Sequence, residues 1–89
     1  MQEIHIYITG NVQGVGFRAA VHRHAQLHSI KGYVCNLSDG RVEICAQGKG
    51  DQIDQFIHTI HLKPGLGSIS NVETKVKPIK QPYNSFEIR

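Results

Sequence analysis

Residues 3–18 read EIHIYITGNVQGVGFR, and they predict a strand, a glycine-rich loop and the start of a helix in direct succession. Ile4, Ile6 and Ile8 alternate with polar or aromatic residues, which gives one apolar face to a strand from about Gln2 to Thr9. Three glycines in the next seven positions let the backbone turn sharply and approach another molecule closely.

The glycine-rich loop has the chemistry of an anion-binding site. Main-chain amides that lead into a helix N-terminus converge on one point and favour negative charge there. Arg18 adds a permanently charged, planar group that matches phosphate geometry. A cation in the first helical turn opposes the helix dipole, and an anion bound between Arg18 and the amides would remove that conflict. The pattern therefore predicts a small phosphate cradle.

The remaining sequence predicts two helices and four further strands. A helix from about Phe17 to Leu27 follows from apolar residues at three-to-four spacing, and Ile53, Phe56, Ile57 and Ile60 mark a second helix. The further strands are Gly32 to Leu37, Arg41 to Gln47 after a Ser38-Asp39-Gly40 turn, one within Ile69 to Val76, and Ser85 to Arg89. The order βαββαβ plus a short last strand predicts one α+β domain over residues 1–89. Its expected architecture is ferredoxin-like, with one antiparallel sheet and both helices on one face.

Two motifs make the chain resemble the acylphosphatases, small enzymes that hydrolyse carboxyl-phosphate mixed anhydrides. Gly10 to Arg18 resembles their first signature, and Gly32-Tyr33-Val34-Cys35-Asn36 with Gly40, Val42 and Gly48 resembles their second. The resemblance covers essentially the whole chain and implies the same ferredoxin-like fold. Asn11 and Cys35 depart from the residue types expected at their positions.

The resemblance also implies roles for particular residues. It makes Arg18 the catalytic arginine and Asn36 the residue that positions the attacking water. It assigns phosphate binding to the loop amides, namely those of Val12, Gln13, Gly14, Val15, Gly16, Phe17 and Arg18. From the strand alternation alone, Asn36 shares the face of Val34 toward the helices, where an asparagine needs a buried partner or a role.

Composition sets the class of protein. The chain has 89 residues, 39% hydrophobic residues and a net charge of +3, which suits one small folded domain and mild steering of anions. No apolar run is long enough to span a membrane, and the N-terminus does not resemble a signal peptide. Two cysteines without an export signal favour reduced thiols and a cytoplasmic location. We expect a monomer that acts on an acyl phosphate, with inorganic phosphate as product and competitive inhibitor.

Histidines and cysteines raise the question of metal binding. His24 and His28 lie four apart on the first helix, and His58 and His61 lie three apart on the second. Zinc needs three or four ligands with supporting carboxylates, and His24 falls on the apolar stripe of its helix, so we expect a packed, hydrogen-bonded histidine there, with no metal and no cofactor. Cys35 and Cys45 share the sheet face away from the helices in diagonal positions, which favours free thiols over a disulfide.

Two other functions are compatible with parts of the sequence. Gly14 to Ala19 matches a dinucleotide-binding pattern, but the chain is too short for a doubly wound domain and has the wrong element order. RNA-recognition domains share the βαββαβ order, and Lys31-Gly32-Tyr33 starts like their aromatic motif. That motif fails at Val34 and Cys35 and lies on the wrong strand, so we expect no nucleic-acid partner.

A third alternative is a relative that binds ligands without catalysis, or a domain of a larger maturation protein for metal enzymes. The presence of both Arg18 and Asn36 favours an active enzyme. The sequence does not name the physiological acyl phosphate, because the loop predicts recognition of the phosphate and no second pocket is evident for the acyl group.

Overall fold

A computed structural model describes residues 1–89 as one α+β unit. Its elements are β1 Gln2–Asn11, α1 Phe17–Leu27, β2 Lys31–Asn36, β3 Val42–Gly48, α2 Gly50–Leu62, β4 Ser68–Lys77 and β5 Phe86–Ile88. The predicted bounds of α1 are confirmed, and the strand ends differ from the prediction by one or two residues.

The five strands form one sheet in the order β4-β1-β3-β2-β5. The pairs β1–β3, β1–β4 and β2–β3 are antiparallel, as predicted for the main sheet. The short β5 instead pairs parallel with β2, so the complete sheet is mixed. This arrangement follows from topology: β4 lies at the outer edge beside β1, and the chain crosses to the other edge before it adds β5.

The core lies between the sheet and the two helices. Alternating residues of β1, β2 and β3 face the apolar stripes of α1 and α2, as the two periodicities predicted. The main contributors are Ile6, Ile8, Val34, Val42, Ile44, Phe17, Val21, Ile53, Phe56 and Ile60, all buried. Neither helix is long and apolar enough to cross a membrane.

The opposite face of the sheet, here called the open face, is partly covered by residues 78–85 between β4 and β5. Gln47 of β3 is only 1% exposed. Its side-chain amide donates to the main-chain oxygen of Gln81 at 2.8 Å, and its oxygen accepts from the amide of Tyr83 at 2.9 Å. This covering segment buries polar residues that the alternation of β1 and β3 alone assigns to solvent.

The topology brings the loop after β1 and the end of β2 to the same end of the sheet. Both strands run antiparallel to β3, so they run parallel to each other. Ile8, Val42 and Asn36 lie in one row across the three strands. Asn36 is therefore two strand spacings, about 10 Å, from Ile8, which lies three residues before β1 ends and the glycine-rich loop begins.

Candidate active site

The loop between β1 and α1 is shaped by two glycines with left-handed backbone angles. Gly14 has a φ of 76° and Gly16 a φ of 77°. Gly16 is also the N-cap of α1, where no side chain accepts from the helix amides and no acidic residue occupies the first turn. The positive end of the helix dipole is therefore left without a partner from the protein.

The main-chain amides of this loop are free to bind an external acceptor. Those of residues 13–16 donate to no main-chain oxygen. A Cβ atom built on Gly14 or Gly16 would meet no protein atom within 4 Å, so the space beside these amides is open. Unpaired amides at a helix N-terminus, with open space beside them, are the arrangement typical of anion-binding sites in proteins.

A cavity of about 200 Å³, here called the loop cavity, lies against the loop. Its lining residues are Val12, Gly14, Gly16, Phe17, Arg18, Ala19 and Ile88. Five of these belong to the phosphate-binding set expected from the sequence. The other two members, Gln13 and Val15, do not line the cavity, and Val15 packs against the core.

Arg18 is half-buried at the wall of the loop cavity. Its Nη1 donates to the main-chain oxygen of Arg89 at 2.9 Å, which fixes one side of the guanidinium. The Arg89 side chain in turn lies over the Tyr33 ring, 4.3 Å from its centroid. Sequence reasoning missed Ile88, which lines the cavity, and Arg89, which contacts Arg18, because no local signal indicates that residues about 70 positions away meet the loop.

Gln13 has a positional role that sequence reasoning did not anticipate. Its side-chain amide donates to the main-chain oxygens of Leu37 and Arg41, at 2.9 and 3.0 Å. Leu37 directly follows Asn36. Gln13 therefore connects the glycine-rich loop to the β2–β3 turn and fixes the distance between the two halves of the candidate site.

Asn36 differs from the sequence expectation in its burial. Asn36 keeps the parity with Val34 that the alternation predicts, but it is exposed and its side chain has no hydrogen bond within the protein, so the expected alternative of a buried partner is wrong. The reason is its place at the last residue of β2, beyond the part of the sheet that the helices cover.

The neighbouring Cys35 lies on the open face, where its thiol donates to Glu43 Oε1 at 3.6 Å. Burial and the Glu43 carboxylate raise the pKa of this thiol.

Three of the four histidines in the two pairs have hydrogen-bond partners within the protein. His24 Nε2 lies 2.8 Å from the main-chain oxygen of Lys63, and His28 Nε2 lies 3.0 Å from the Thr59 hydroxyl. His61 Nδ1 lies 3.1 Å from the main-chain oxygen of Ile57 within α2. Cys45 pairs with Tyr33 and Cys35 with Glu43 in the β2–β3 register, which confirms the predicted diagonal placement of the two cysteines.

The fold and the loop define a class of protein: a ferredoxin-like domain with a glycine-rich loop of unpaired amides and an arginine at the start of its first helix. Comparison with known sequences identifies the family. The acylphosphatase family profile matches residues 4–88, and the chain belongs to this family of hydrolases. It is 46% identical over 88 residues to the acylphosphatase of Archaeoglobus fulgidus, covering 99% of this chain and 98% of that protein.

Solved structures show the same architecture. The crystal structure of acylphosphatase from Bacillus subtilis superposes with a TM-score of 0.94 at 29% identity, covering 100% of this chain and 99% of that one. Full-length HypF, solved in a phosphate- and nucleotide-bound form, contains a matching region with a TM-score of 0.91 and 36% identity. That match covers 99% of this chain and 12% of HypF.

Proposed function

We propose that this protein hydrolyses acyl phosphates to a carboxylate and inorganic phosphate, and that the loop cavity binds the phosphoryl group. The observation that carries the proposal is the meeting of unpaired loop amides and the Arg18 guanidinium at one open cavity. Membership of the acylphosphatase family supports the same activity.

The proposed binding mode follows from the charge of the phosphoryl group. Its oxygens accept from the amides of residues 12–18 and from the N–H groups of Arg18 that face away from Arg89. Phosphoryl transfer depends mainly on alignment and on stabilisation of charge on the equatorial oxygens. Donors fixed in the free protein perform that task without reorganisation during the reaction.

Asn36 positions the attacking water in this proposal. Its side chain shares the helix-facing side of β2 with the buried Val34, and Gln13 ties the adjacent Leu37 to the phosphate loop. Its exposure gives bulk water direct access to the amide. A neutral amide can orient a water without repelling the phosphate. A carboxylate at this position would repel it.

No general acid or base of the protein is needed for this reaction. The leaving carboxylate is a weak base, and we propose that a phosphate oxygen of the substrate takes the proton of the attacking water. The rate then follows the ionisation of the substrate. A rate governed instead by a protein group that titrates near neutral pH would contradict this step.

The proposal extends to the metal requirement, oligomeric state, location and substrate range of the enzyme. We propose a metal-independent, monomeric, cytoplasmic enzyme that accepts a range of small acyl phosphates. Inorganic phosphate, the product, would bind the loop amides and Arg18 and compete with substrate.

The direct test is hydrolysis of benzoyl phosphate in the presence of a metal chelator, by the protein and by its Arg18→Ala variant. Turnover that survives the chelator and is lost in the variant supports both the activity and the binding mode. A folded protein with no turnover, or a variant that keeps full turnover, would contradict the proposal.

A further inference from the structure

A cluster of three metal-ligating side chains lies on the open face, away from the loop cavity. Glu3 and His5 belong to β1, and Cys45 lies directly opposite His5 on β3. One potential ligand atom from each side chain falls within 4.8 Å of the other two. The cluster is shielded: Cys45 is 1% exposed, Glu3 is 9% exposed, and the His5 side chain is 12% exposed.

The donor atoms are those that Zn²⁺ uses in proteins. Thiolate sulfur, imidazole nitrogen and carboxylate oxygen bind zinc in tetrahedral sites, and three protein ligands leave a fourth position for another group. Glu3 and His5 also line a cavity of about 330 Å³, here called the open-face cavity. This cavity gives an entering ion a path and provides space for a water or a small anion as fourth ligand.

Neighbouring side chains already orient two of the three ligands. Gln47 Nε2 donates to Glu3 Oε1 at 2.7 Å, and His5 Nδ1 lies 3.4 Å from Glu43 Oε2. These contacts leave Glu3 Oε2 and His5 Nε2 facing each other at 2.8 Å. A carboxylate on the distal nitrogen of a histidine, and a hydrogen bond to a ligating carboxylate, are the usual supports of a protein zinc site.

We propose that Glu3 Oε2, His5 Nε2 and Cys45 Sγ form a binding site for one Zn²⁺ ion, with the fourth ligand supplied from the open-face cavity. Zn²⁺ displaces the proton of the hydrogen bond between Glu3 Oε2 and His5 Nε2, which leaves to solvent, and the Glu3–His5 separation widens from 2.8 Å to about 3.4 Å for tetrahedral geometry. The thiol proton of Cys45 leaves to solvent. The resulting carboxylate and thiolate neutralise the charge of the ion.

The position of the site indicates a structural role for the metal. His5 lies about 10 Å along β1 from Ile8 and on the opposite face from the helices, so the ion takes no part in chemistry at Arg18. It would join β1 to β3 beneath the covering segment 78–85. Lys77 and Lys80 line the open-face cavity and suit an anion as the fourth ligand.

The test is a titration of the chelator-treated, reduced protein with Co²⁺ and then Zn²⁺. We expect one Co²⁺ per chain, with a near-ultraviolet thiolate-to-metal charge-transfer band that Zn²⁺ removes. Cys45→Ser should abolish the band and weaken Zn²⁺ binding at least about tenfold. Cys35→Ser, which removes the other thiol of the same face, should leave both the band and the affinity unchanged.

Two results would overturn the proposal. One is metal binding without a thiolate band, which would assign the ion to surface histidines such as His58 and His61. The other is Zn²⁺ affinity that is unchanged in a folded Cys45→Ser protein. If that variant does not fold, His5→Gln decides the question: the proposal requires at least about a tenfold loss of Zn²⁺ affinity, and an unchanged affinity refutes it.

Discussion

The loop cavity and the open-face cavity differ in how far the protein satisfies their polar groups. At the loop cavity, residues 13–16 offer amides that donate to no main-chain oxygen, and α1 has no side-chain cap. At the open-face cavity, Glu3, His5 and Gln47 already form hydrogen bonds with one another or with the covering segment. A ligand in the loop cavity would accept hydrogen bonds from amides that are unpaired. A ligand in the open-face cavity would have to displace an existing hydrogen bond. The smaller cavity is therefore better prepared for phosphate.

The largest effect is expected at Arg18. Arg18→Ala removes the only charged side chain of the loop cavity, so kcat/KM for benzoyl phosphate should fall at least about 10³-fold. Arg18→Lys keeps the positive charge but lacks the planar guanidinium group. It should also severely reduce kcat/KM and weaken inhibition by phosphate. Steady-state kinetics measures both variants.

Arg23→Ala is the matched control for Arg18, since Arg23 lies exposed on the same helix and outside the loop cavity. It should leave kcat/KM unchanged. Equal losses at positions 18 and 23 would show that general positive charge, and not the fixed guanidinium at the loop, governs the reaction.

A smaller effect, confined to kcat, is expected at Asn36. Asn36→Ala removes the water-positioning amide but no phosphate contact, so kcat should fall about 10²-fold with little change in the inhibition constant of inorganic phosphate. Asn71→Ala, at an exposed position of β4, is the control. Loss of phosphate inhibition in Asn36→Ala would contradict the division of roles between Arg18 and Asn36.

Gln13→Ala tests the link between the two halves of the site. Loss of its hydrogen bonds to Leu37 and Arg41 should reduce kcat/KM about tenfold through misalignment and lower the free energy of unfolding by about 1–2 kcal/mol. Kinetics and urea unfolding measure the two effects, with the exposed Gln55→Ala as control. Unchanged kinetics with reduced stability would limit Gln13 to a role in the fold.

The smallest expected effect is on the pH dependence of stability, through Glu3 on the open face. Burial acts to raise the pKa of Glu3, but hydrogen bonds from Gln47 and His5 outweigh it and hold that pKa below its ordinary value. A carboxyl group whose pKa is lower in the folded than in the unfolded protein stabilises the fold at pH values above its unfolded pKa. This stabilisation is lost as the pH falls through the pKa of the folded protein.

Glu3→Gln should therefore flatten the decline in unfolding free energy below about pH 5. Urea unfolding of the chelator-treated protein at several pH values between neutral and acidic measures this decline. Glu73→Gln, which removes an exposed carboxylate of β4, is the control. A decline as steep in Glu3→Gln as in the unmodified protein would contradict the contribution of Glu3.

Much of the fold could be predicted because local patterns specify it. The two-residue period of β1 and the helical spacing from Phe17 to Leu27 give the elements and their buried faces. The parallel pairing of β5, the burial of Gln47 and the contact of Arg18 with Arg89 depend on where residues 78–89 cross the sheet. No local periodicity encodes that crossing.

The candidate site was predictable to a similar degree. The glycine spacing and Arg18 indicate the candidate anion-binding loop, because φ angles near +77° strongly favour glycine. The exposure of Asn36 was not predictable from its parity with Val34, because parity gives the face of the strand and not the extent of helix cover. The bridging role of Gln13 likewise depends on a turn 24 residues away.

The most direct test of phosphate binding at the loop is a titration of the protein with inorganic phosphate, followed by amide NMR. We predict saturable shifts concentrated at the amides of residues 12–18, and their loss in Arg18→Ala. Shifts confined to Lys77, Lys80 and the open-face cavity, with the loop amides unchanged, would contradict the account.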